Sequence, residues 1–173
     1  MLSISKGKYE IWPKFSLDIR QNLHFETRNT YWLDGANGSG KSSLLQGIIL
    51  PRLAEIKSDI YRLYLHQFSE HQNFAIKAHA AFYSPTLRLR NDKDCLDYLL
   101  NNLLTAYQKE ARQSYVLVDE SQYLSYIEGA IADYGLPCCL IYSQHGDRPQ
   151  VSSVRCIMFE PQSVTLSTVY ETA

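Results

Sequence analysis

The sequence feature that most constrains the fold is a glycine-rich turn between an apolar run and an amphipathic segment. The apolar run ends at residues 31–34, and Gly35-Ala36-Asn37-Gly38-Ser39-Gly40-Lys41-Ser42 follows. This segment fits the phosphate-binding P-loop pattern G-x-x-x-x-G-K-[ST]. Glycines let successive backbone N–H groups point into one concavity, and the helix that follows adds its positive end. The segment therefore predicts a phosphate-binding loop between a strand and a helix.

The pattern also assigns roles to the polar side chains of the loop. Lys41 is expected to reach the β- and γ-phosphates of a nucleotide, and the Ser42 hydroxyl is expected to bind Mg²⁺. The competing interpretation is a flexible Gly/Ser linker, and the helix-forming residues 44–46 that follow at once argue against it. The predicted nucleotide-binding residues of the loop are Gly35, Ala36, Asn37, Gly38, Ser39, Gly40, Lys41, Ser42 and Ser43.

Length and composition limit the class of protein. At 173 residues, a single domain (1–173) with a real core is expected. The formal net charge of −1 gives no global basic field, so nucleic acid is not indicated as a partner. The sequence shows neither an apolar run of ~20 residues nor a signal-peptide core, which predicts a cytoplasmic location. The four cysteines fit no metal-binding spacing and are expected to be reduced thiols.

The pattern along the chain predicts an α/β fold with a mainly parallel core sheet. Short alternating segments in residues 1–34, separated by polar turns such as 6–8, predict an N-terminal antiparallel β layer. A helix is expected from Lys41 to about residue 50, where Pro51 ends or redirects it. Continuous apolar runs at 115–118 and 138–143 predict buried parallel strands. Further strands are predicted at 31–34, 60–65, 154–159 and 164–170 (the last two as a hairpin), helices at 94–109 and 123–133, and either helix or strand at 73–82.

A carboxylate pair ends the first of these buried runs. Asp119 and Glu120 follow residues 115–118 directly, at the edge where a parallel α/β sheet carries its active site. Asp119 is expected to hold Mg²⁺, and Glu120 is expected to act as general base toward the attacking water. The alternative for both is a pair of solvated acids at a strand end.

Two further polar residues follow predicted strands. His145 comes after the strand at 138–143 and is a candidate sensor for the γ-phosphate and the water. Gln67 comes after the strand at 60–65 and is a candidate ligand of Mg²⁺ and water. The competing interpretation of each is an ordinary solvated loop residue.

Taken in order, these motifs resemble the ATP-binding-cassette (ABC) ATPase family. The matching features are Gly-x-Asn-Gly-Ser-Gly-Lys-Ser-Ser-Leu-Leu, then Gln67, then Leu-Val-Asp-Glu at 117–120, then His145. The resemblance covers nearly the whole chain and implies a P-loop NTPase fold with ATP and Mg²⁺ as ligands. It further implies Glu120 as catalytic base, Gln67 as the Q-loop residue and His145 as the switch histidine. The family also stacks an aromatic ring on adenine, and Trp12 fits that placement best, unless it only packs within the β layer.

The chain also departs from the family. The signature Leu-Ser-Gly-Gly-Gln is absent, and Arg-Asn-Asp-Lys-Asp stands at 90–94 instead. Asp92 and Asp94 would bring carboxylates near phosphate, which repels them. The short interval between Lys41 and Asp119 indicates a largely deleted helical subdomain, and no D-loop Asp follows Glu120. These departures argue against a transporter membrane subunit as partner, and any ATP sandwich must use a different surface or a different partner chain.

Three functions remain open at the level of the sequence. The leading one is a reduced ABC-type ATPase that couples ATP binding or hydrolysis to association with a protein partner or with further copies of itself. The second is a nucleotide-dependent interaction switch that does not hydrolyse, which the missing signature motivates. The third is a P-loop kinase for a small acceptor, against which the tandem Asp119-Glu120 and the later His145 argue. A DNA-repair or chromosome-type ABC ATPase is a further alternative, although those relatives carry long coiled-coil insertions and none fits in this chain.

Overall fold

The computed structural model of the protein describes residues 1–56, 60–67, 69–110, 113–144 and 153–172. Before the glycine loop lie β1 (Leu2–Ile4), β2 (Gly7–Trp12), β3 (Phe15–Ile19), β4 (Leu23–Phe25) and β5 (Thr30–Asp34). After the loop, a continuous helical run consists of α1 (Lys41–Leu44), a π-helical segment (Leu45–Ile49) and α2 (Leu50–Glu55). Then come β6 (Ile60–Leu65), α3 (Ser69–Tyr83), α4 (Asp92–Glu110), β7 (Gln113–Asp119), α5 (Leu124–Asp133), β8 (Cys138–Ser143), β9 (Val154–Ser163) and β10 (Leu166–Thr172).

The core of the fold is a curled, mostly parallel sheet. In the described residues it has eight strands in the order β2-β3-β10-β9-β5-β8-β7-β6. The five strands from β9 to β6 run parallel to one another, as the continuous apolar runs at 115–118 and 138–143 predict for β7 and β8. β9 and β10 form the predicted C-terminal hairpin, and β10 then pairs in parallel with β3. The α/β class and the mainly parallel sheet are therefore confirmed.

The N-terminal strands do not form one layer of their own. β2 and β3 are antiparallel to each other, but β10 joins them to the main sheet. β1 and β4 form a separate two-stranded antiparallel sheet, with Leu2 opposite Phe25. Residues 6–8 are not a simple turn, because β2 already begins at Gly7. The alternation of half-buried Tyr9 and Ile11 with exposed neighbours is the strand signal there.

The helices correct the sequence interpretation at two places. Pro51 does not end the helical run, which continues to Glu55, because Pro51 lies in the first turn of α2, where a missing N–H costs little. The ambiguous residues 73–82 are helical and belong to α3. The helices predicted at 94–109 and 123–133 correspond to α4 and α5. In this described part of the chain, every helix is too short or too polar to span a lipid bilayer.

Both faces of the parallel strands are buried, which positions the ends of the strands. On one face, Tyr115 and Leu117 pack with the helical run and with the β1–β4 sheet. On the other face, Val116 and Val118 pack with α4 and α5. Because side chains alternate along a strand, Asp119 points to the same face as Leu117, which is the side of the helical run. The fold thus directs this carboxylate toward the glycine loop.

Candidate functional site

Two glycines of the loop are required by its close contacts and by its backbone. Gly40 has φ +101°, and a Cβ on it would lie 2.8 Å from Leu17 Cδ2 and from Phe15 Cζ. Gly35 has φ +155°, and a Cβ there would lie 2.8 Å from both the Cβ and the carbonyl oxygen of Phe159. L-side chains rarely adopt these conformations. The chain can therefore make this turn, packed tightly on β3 and β9, only with glycine at both positions.

Lys41 is held inside the loop. Its side chain is nearly buried (5% exposed), and its ammonium Nζ donates to the carbonyl oxygens of Gly35 at 2.6 Å and Ala36 at 3.1 Å. Burial lowers the pKa of Lys41, while the carboxylates of Glu120, Asp34 and Asp119 act in the opposite direction. Three acids around one ammonium leave the site with an excess of negative charge. A further anion at this site therefore requires a cation that arrives with it.

Asp119 is the hub of a hydrogen-bond network at the end of β7. The side chain is 1% exposed, and its Oδ1 accepts hydrogen bonds from the hydroxyls of Ser42 at 2.9 Å and Ser143 at 2.8 Å. The Tyr64 hydroxyl donates to Oδ2 at 3.2 Å and accepts a hydrogen bond from Gln46 Nε2 at 2.8 Å. Burial, followed by the charge of Asp119, raises the pKa of Tyr64, so this phenol stays protonated as a donor. The network joins the helical run to three neighbouring strand ends.

Glu120 and Gln67 are brought together beside this network. Gln67 Nε2 donates to Glu120 Oε2 at 2.7 Å, and the Glu120 N–H donates to the Ser143 carbonyl oxygen at 3.0 Å. Glu120 has φ +50°, which is uncommon for a residue other than glycine. Such backbone conformations persist only where the surroundings enforce them, and they concentrate at functional sites.

A cleft lies in front of the loop. It has a volume of about 200 Å³ and is lined by Trp12, Phe15, Glu120 and residues 38–43. Trp12 is 48% exposed, and its indole Nε1 donates to the Ser43 hydroxyl at 3.2 Å. A half-exposed ring at the rim of a polar cleft offers an aromatic face to a ligand, whereas the fully buried aromatic residues of the core do not.

The oxygen atoms at the floor of the site fit Mg²⁺ rather than a metal held by protein side chains alone. The Ser42 hydroxyl and the Asp119 carboxylate are hard oxygen donors in direct contact. Among the described residues, there is no group of three or more His, Cys, Asp or Glu side chains that could hold a metal. Mg²⁺ usually takes one or two carboxylates and completes its shell with water and phosphate oxygens. The Ser39 hydroxyl, buried in the loop, finds no hydrogen-bond partner within the described ranges and leaves the loop with spare bonding capacity.

The structure brings together most of the residues that the sequence singled out. Gly38 to Ser43, Trp12 and Glu120 line the cleft, Gln67 contacts Glu120, and Asp119 contacts Ser42. Ala36 and Asn37 are exposed at the tip of the loop. His145 lies outside the described residues.

The structure adds four residues that the sequence did not single out. They are Ser143, Tyr64, Gln46 and Phe15. Ser143 could have been predicted from the sequence, because it is the last residue of the buried strand β8. That strand runs beside β7, and Ser143 lies opposite Asp119 in the pairing.

No protein-family model matches the chain, and a search of curated proteins finds no match either.

Proposed function

We propose that the protein is a P-loop ATPase of the ABC type, which binds ATP with Mg²⁺ and hydrolyses it. Its nucleotide state controls association with a partner protein. The observation that carries the proposal is the contact of 2.9 Å between the Ser42 hydroxyl and the Asp119 carboxylate, beside the buried Lys41 ammonium. Residues far apart in sequence thus bring the glycine loop, a cation and hard oxygen atoms together beside one cleft, which supports a site for ATP with Mg²⁺.

Each side chain of the site has a role in this function. The loop N–H groups and Lys41 bind the phosphates, and Ser42 and Asp119 hold Mg²⁺, which supplies charge neutralisation for the phosphates. Trp12 stacks on the base, since its half-exposed ring borders the cleft. Glu120 accepts a proton from the attacking water, and Gln67 orients the Glu120 carboxylate by its 2.7 Å hydrogen bond. His145 is retained as the proposed sensor on sequence grounds alone.

A nucleotide switch without hydrolysis is the second candidate. The Gln67 amide occupies one oxygen of the Glu120 carboxylate in the described structure. A carboxylate offers about four lone pairs, so this contact orients Glu120 and does not by itself prevent proton transfer. The switch is favoured instead by the absence of the Leu-Ser-Gly-Gly-Gln signature, whose place Arg-Asn-Asp-Lys-Asp takes at 90–94.

Calorimetric titration with ATP and Mg²⁺, followed by phosphate-release kinetics, tests the proposal. We expect Lys41→Ala to weaken ATP binding about tenfold to a hundredfold, because charge-assisted hydrogen bonds to phosphate are lost. Lys109→Ala, which removes an exposed lysine of α4, is the matched control and should bind like the wild type. Glu120→Gln should keep ATP binding and slow hydrolysis about a hundredfold or more.

The outcomes separate the two candidates and the failure of both. Wild-type protein that binds ATP only with Mg²⁺ and releases phosphate supports the ATPase. Binding without turnover at every protein concentration supports the switch instead. The proposal of a nucleotide site is overturned if the folded wild type fails to bind ATP with Mg²⁺ at millimolar concentrations, or if Lys41→Ala and Lys109→Ala bind equally well.

A further inference from the structure

One helix exposes an apolar face to solvent. In α3, the side chains of Ile76 and Ala80 are buried, whereas Phe74 is 76% exposed and Phe82 is 79% exposed. Together with three exposed alanines they form what we call the α3 stripe, which consists of Phe74, Ala75, Ala78, Ala81 and Phe82. At 3.6 residues per turn, the stripe covers about 120° of the helix surface, centred on Ala78 and opposite Ile76 and Ala80. An apolar face of this width on a helix is typical of a packing surface.

The sequence of the stripe is symmetric about Ala78. Phe74 and Phe82 stand four residues on either side of it, and Ala75 and Ala81 stand three residues on either side. The inward positions show the same symmetry, since buried Ile76 and Ala80 stand two residues on either side. In an interface between identical subunits related by a two-fold axis, each surface must be complementary to itself. An antiparallel pair of α3 helices, with the axis at Ala78, places Phe74 of one copy against Phe82 of the other.

We propose that the α3 stripe is the interface through which two copies of this chain form an antiparallel, two-fold symmetric dimer. The small side chains at the centre let the two helix backbones approach closely, and the phenylalanines at both ends cover the alanines of the facing helix. The inference goes beyond the proposed ATPase, because it requires neither nucleotide nor hydrolysis.

The charge and symmetry of α3 favour a second copy over other occupants. The helix carries a single lysine, Lys77, and no arginine, whereas a helix that lies on a membrane surface presents a polar face rich in Lys and Arg. An unrelated protein would require no symmetry of the stripe. In a dimer, four largely exposed phenylalanines of on the order of 150 Å² each become buried. With the alanines included, the buried area approaches ~1,000 Å², at the lower limit for a specific interface, so a micromolar dissociation constant is expected.

Sedimentation velocity on the full chain without nucleotide is the first test. We expect wild-type protein to shift from monomer to dimer between about 1 μM and 500 μM. Ala78→Glu places two carboxylates next to each other at the axis and should raise the dissociation constant about tenfold or more. Val164→Glu is the matched control, because Val164 is 96% exposed in the β9–β10 turn, and it should dimerise like the wild type.

Cross-linking at the axis is the second test. In the proposed dimer, the Cα atoms of the two copies of residue 78 lie within the distance of about 4.4–6.8 Å that a disulfide requires, so Ala78→Cys places two thiols in bonding range. Copper phenanthroline should therefore link Ala78→Cys into a covalent dimer. Ala132→Cys is the control, since it places a thiol at an exposed alanine of α5, away from the stripe, and should not form a covalent dimer. The four native cysteines are buried and contribute little background.

The proposal is overturned by any of three results with variants that show wild-type circular dichroism. The first is a wild type that sediments as a monomer throughout the concentration range. The second is a wild type that dimerises, but with the same dissociation constant as both Ala78→Glu and Val164→Glu. The third is equal cross-linking of Ala78→Cys and Ala132→Cys. A failure of ATP binding leaves this test unaffected, so the two proposals fail separately.

Discussion

The surroundings of Asp119 and the outer face of α3 differ in how completely their side chains are engaged. Asp119 is buried and accepts hydrogen bonds from three hydroxyl groups that come from the helical run, β6 and β8. Phe74 and Phe82 of α3 remain mostly in solvent. The chain therefore fixes the geometry of the cleft by itself, whereas the exposed face of α3 gains its packing only through association. Folding and assembly thus depend on different parts of the molecule.

The largest expected effect is the loss of core stability at alkaline pH. Burial raises the pKa of Cys138 to about 11 and raises that of its neighbour Cys139 as well. In the native state both thiols keep their protons at pH 9, while the unfolded chain loses them near pH 8.5. The free energy of unfolding should therefore fall as pH rises, by at most about 1.4 kcal/mol per thiol per pH unit. Because Cys138 itself titrates near pH 11, the two thiols together account for roughly 4 kcal/mol between pH 9 and 11. Urea unfolding at several pH values measures this slope.

Substitutions of the cysteines in β8 and in α4 test the source of this slope. Replacement of Cys138 and Cys139 in β8 by alanine should remove the share of these thiols, even though the cavities lower the stability at pH 7. The remaining slope should come from buried tyrosines such as Tyr115 and Tyr142, because burial raises their pKa above the value of about 10 in the unfolded chain. Cys95→Ala, in α4 beside α3, should leave most of the slope in place. An equal slope in wild type and in the β8 double variant would show that the buried strand is not its source.

Removal of the Asp119 carboxylate should have the next largest effect. Asp119→Ala leaves the hydroxyls of Ser42, Ser143 and Tyr64 without their acceptor, which should cost about 3 kcal/mol in the free energy of unfolding. Phe82→Ser in α3, measured at a concentration where the protein is monomeric, should change stability by less than about 0.5 kcal/mol. Chemical denaturation followed by circular dichroism measures both. The contrast between the two regions disappears if Asp119→Ala leaves the free energy of unfolding unchanged, or if Phe82→Ser lowers it as much as Asp119→Ala is expected to.

The smallest expected effect compares two glycines that differ in backbone conformation and in surroundings. Gly40→Ala puts a methyl group 2.8 Å from Leu17 and Phe15 at a positive φ, so it should destabilise the protein by about 2 kcal/mol. Gly129→Ala, in α5 with no atom within 4 Å of the new Cβ, should stabilise it by about 0.5–1 kcal/mol. Thermal unfolding of both variants measures the difference. Similar melting temperatures would mean that the glycine loop relaxes more easily than its contacts indicate.

The sequence predicted the fold best where a single pattern dominated. The apolar runs at 115–118 and 138–143 could only be buried strands, and the structure places β7 and β8 there. Residues 73–82 stayed ambiguous because α3 has apolar residues on both of its faces, with Ile76 directed inward and Phe82 outward. The place of β3 in the main sheet was not predictable, since it depends on a pairing with β10, far along the chain.

The residues of the candidate site, too, could be predicted only where they belong to a local sequence motif. The loop residues, Asp119 and Glu120 stood out because their types and spacing form a motif. Tyr64 and Gln46 carry no such pattern, and they join the site only because β6 runs beside β7 and the helical run packs over both. Local patterns thus identify the candidate ligand-binding residues, and tertiary pairing decides which residues support them.

The position of β10 has a consequence for the order in which this protein is completed during synthesis. β10 lies between β9 and β3, and β3 in turn pairs with β2, which ends at Trp12. Until residues 166–172 have left the ribosome, β2 and β3 lack the neighbour that attaches them to the parallel strands. The Trp12 side of the cleft therefore depends on residues 7–19 and on residues 166–172 together. A nascent chain arrested before β10 would contain the glycine loop and Asp119 and still present only one wall of the cleft.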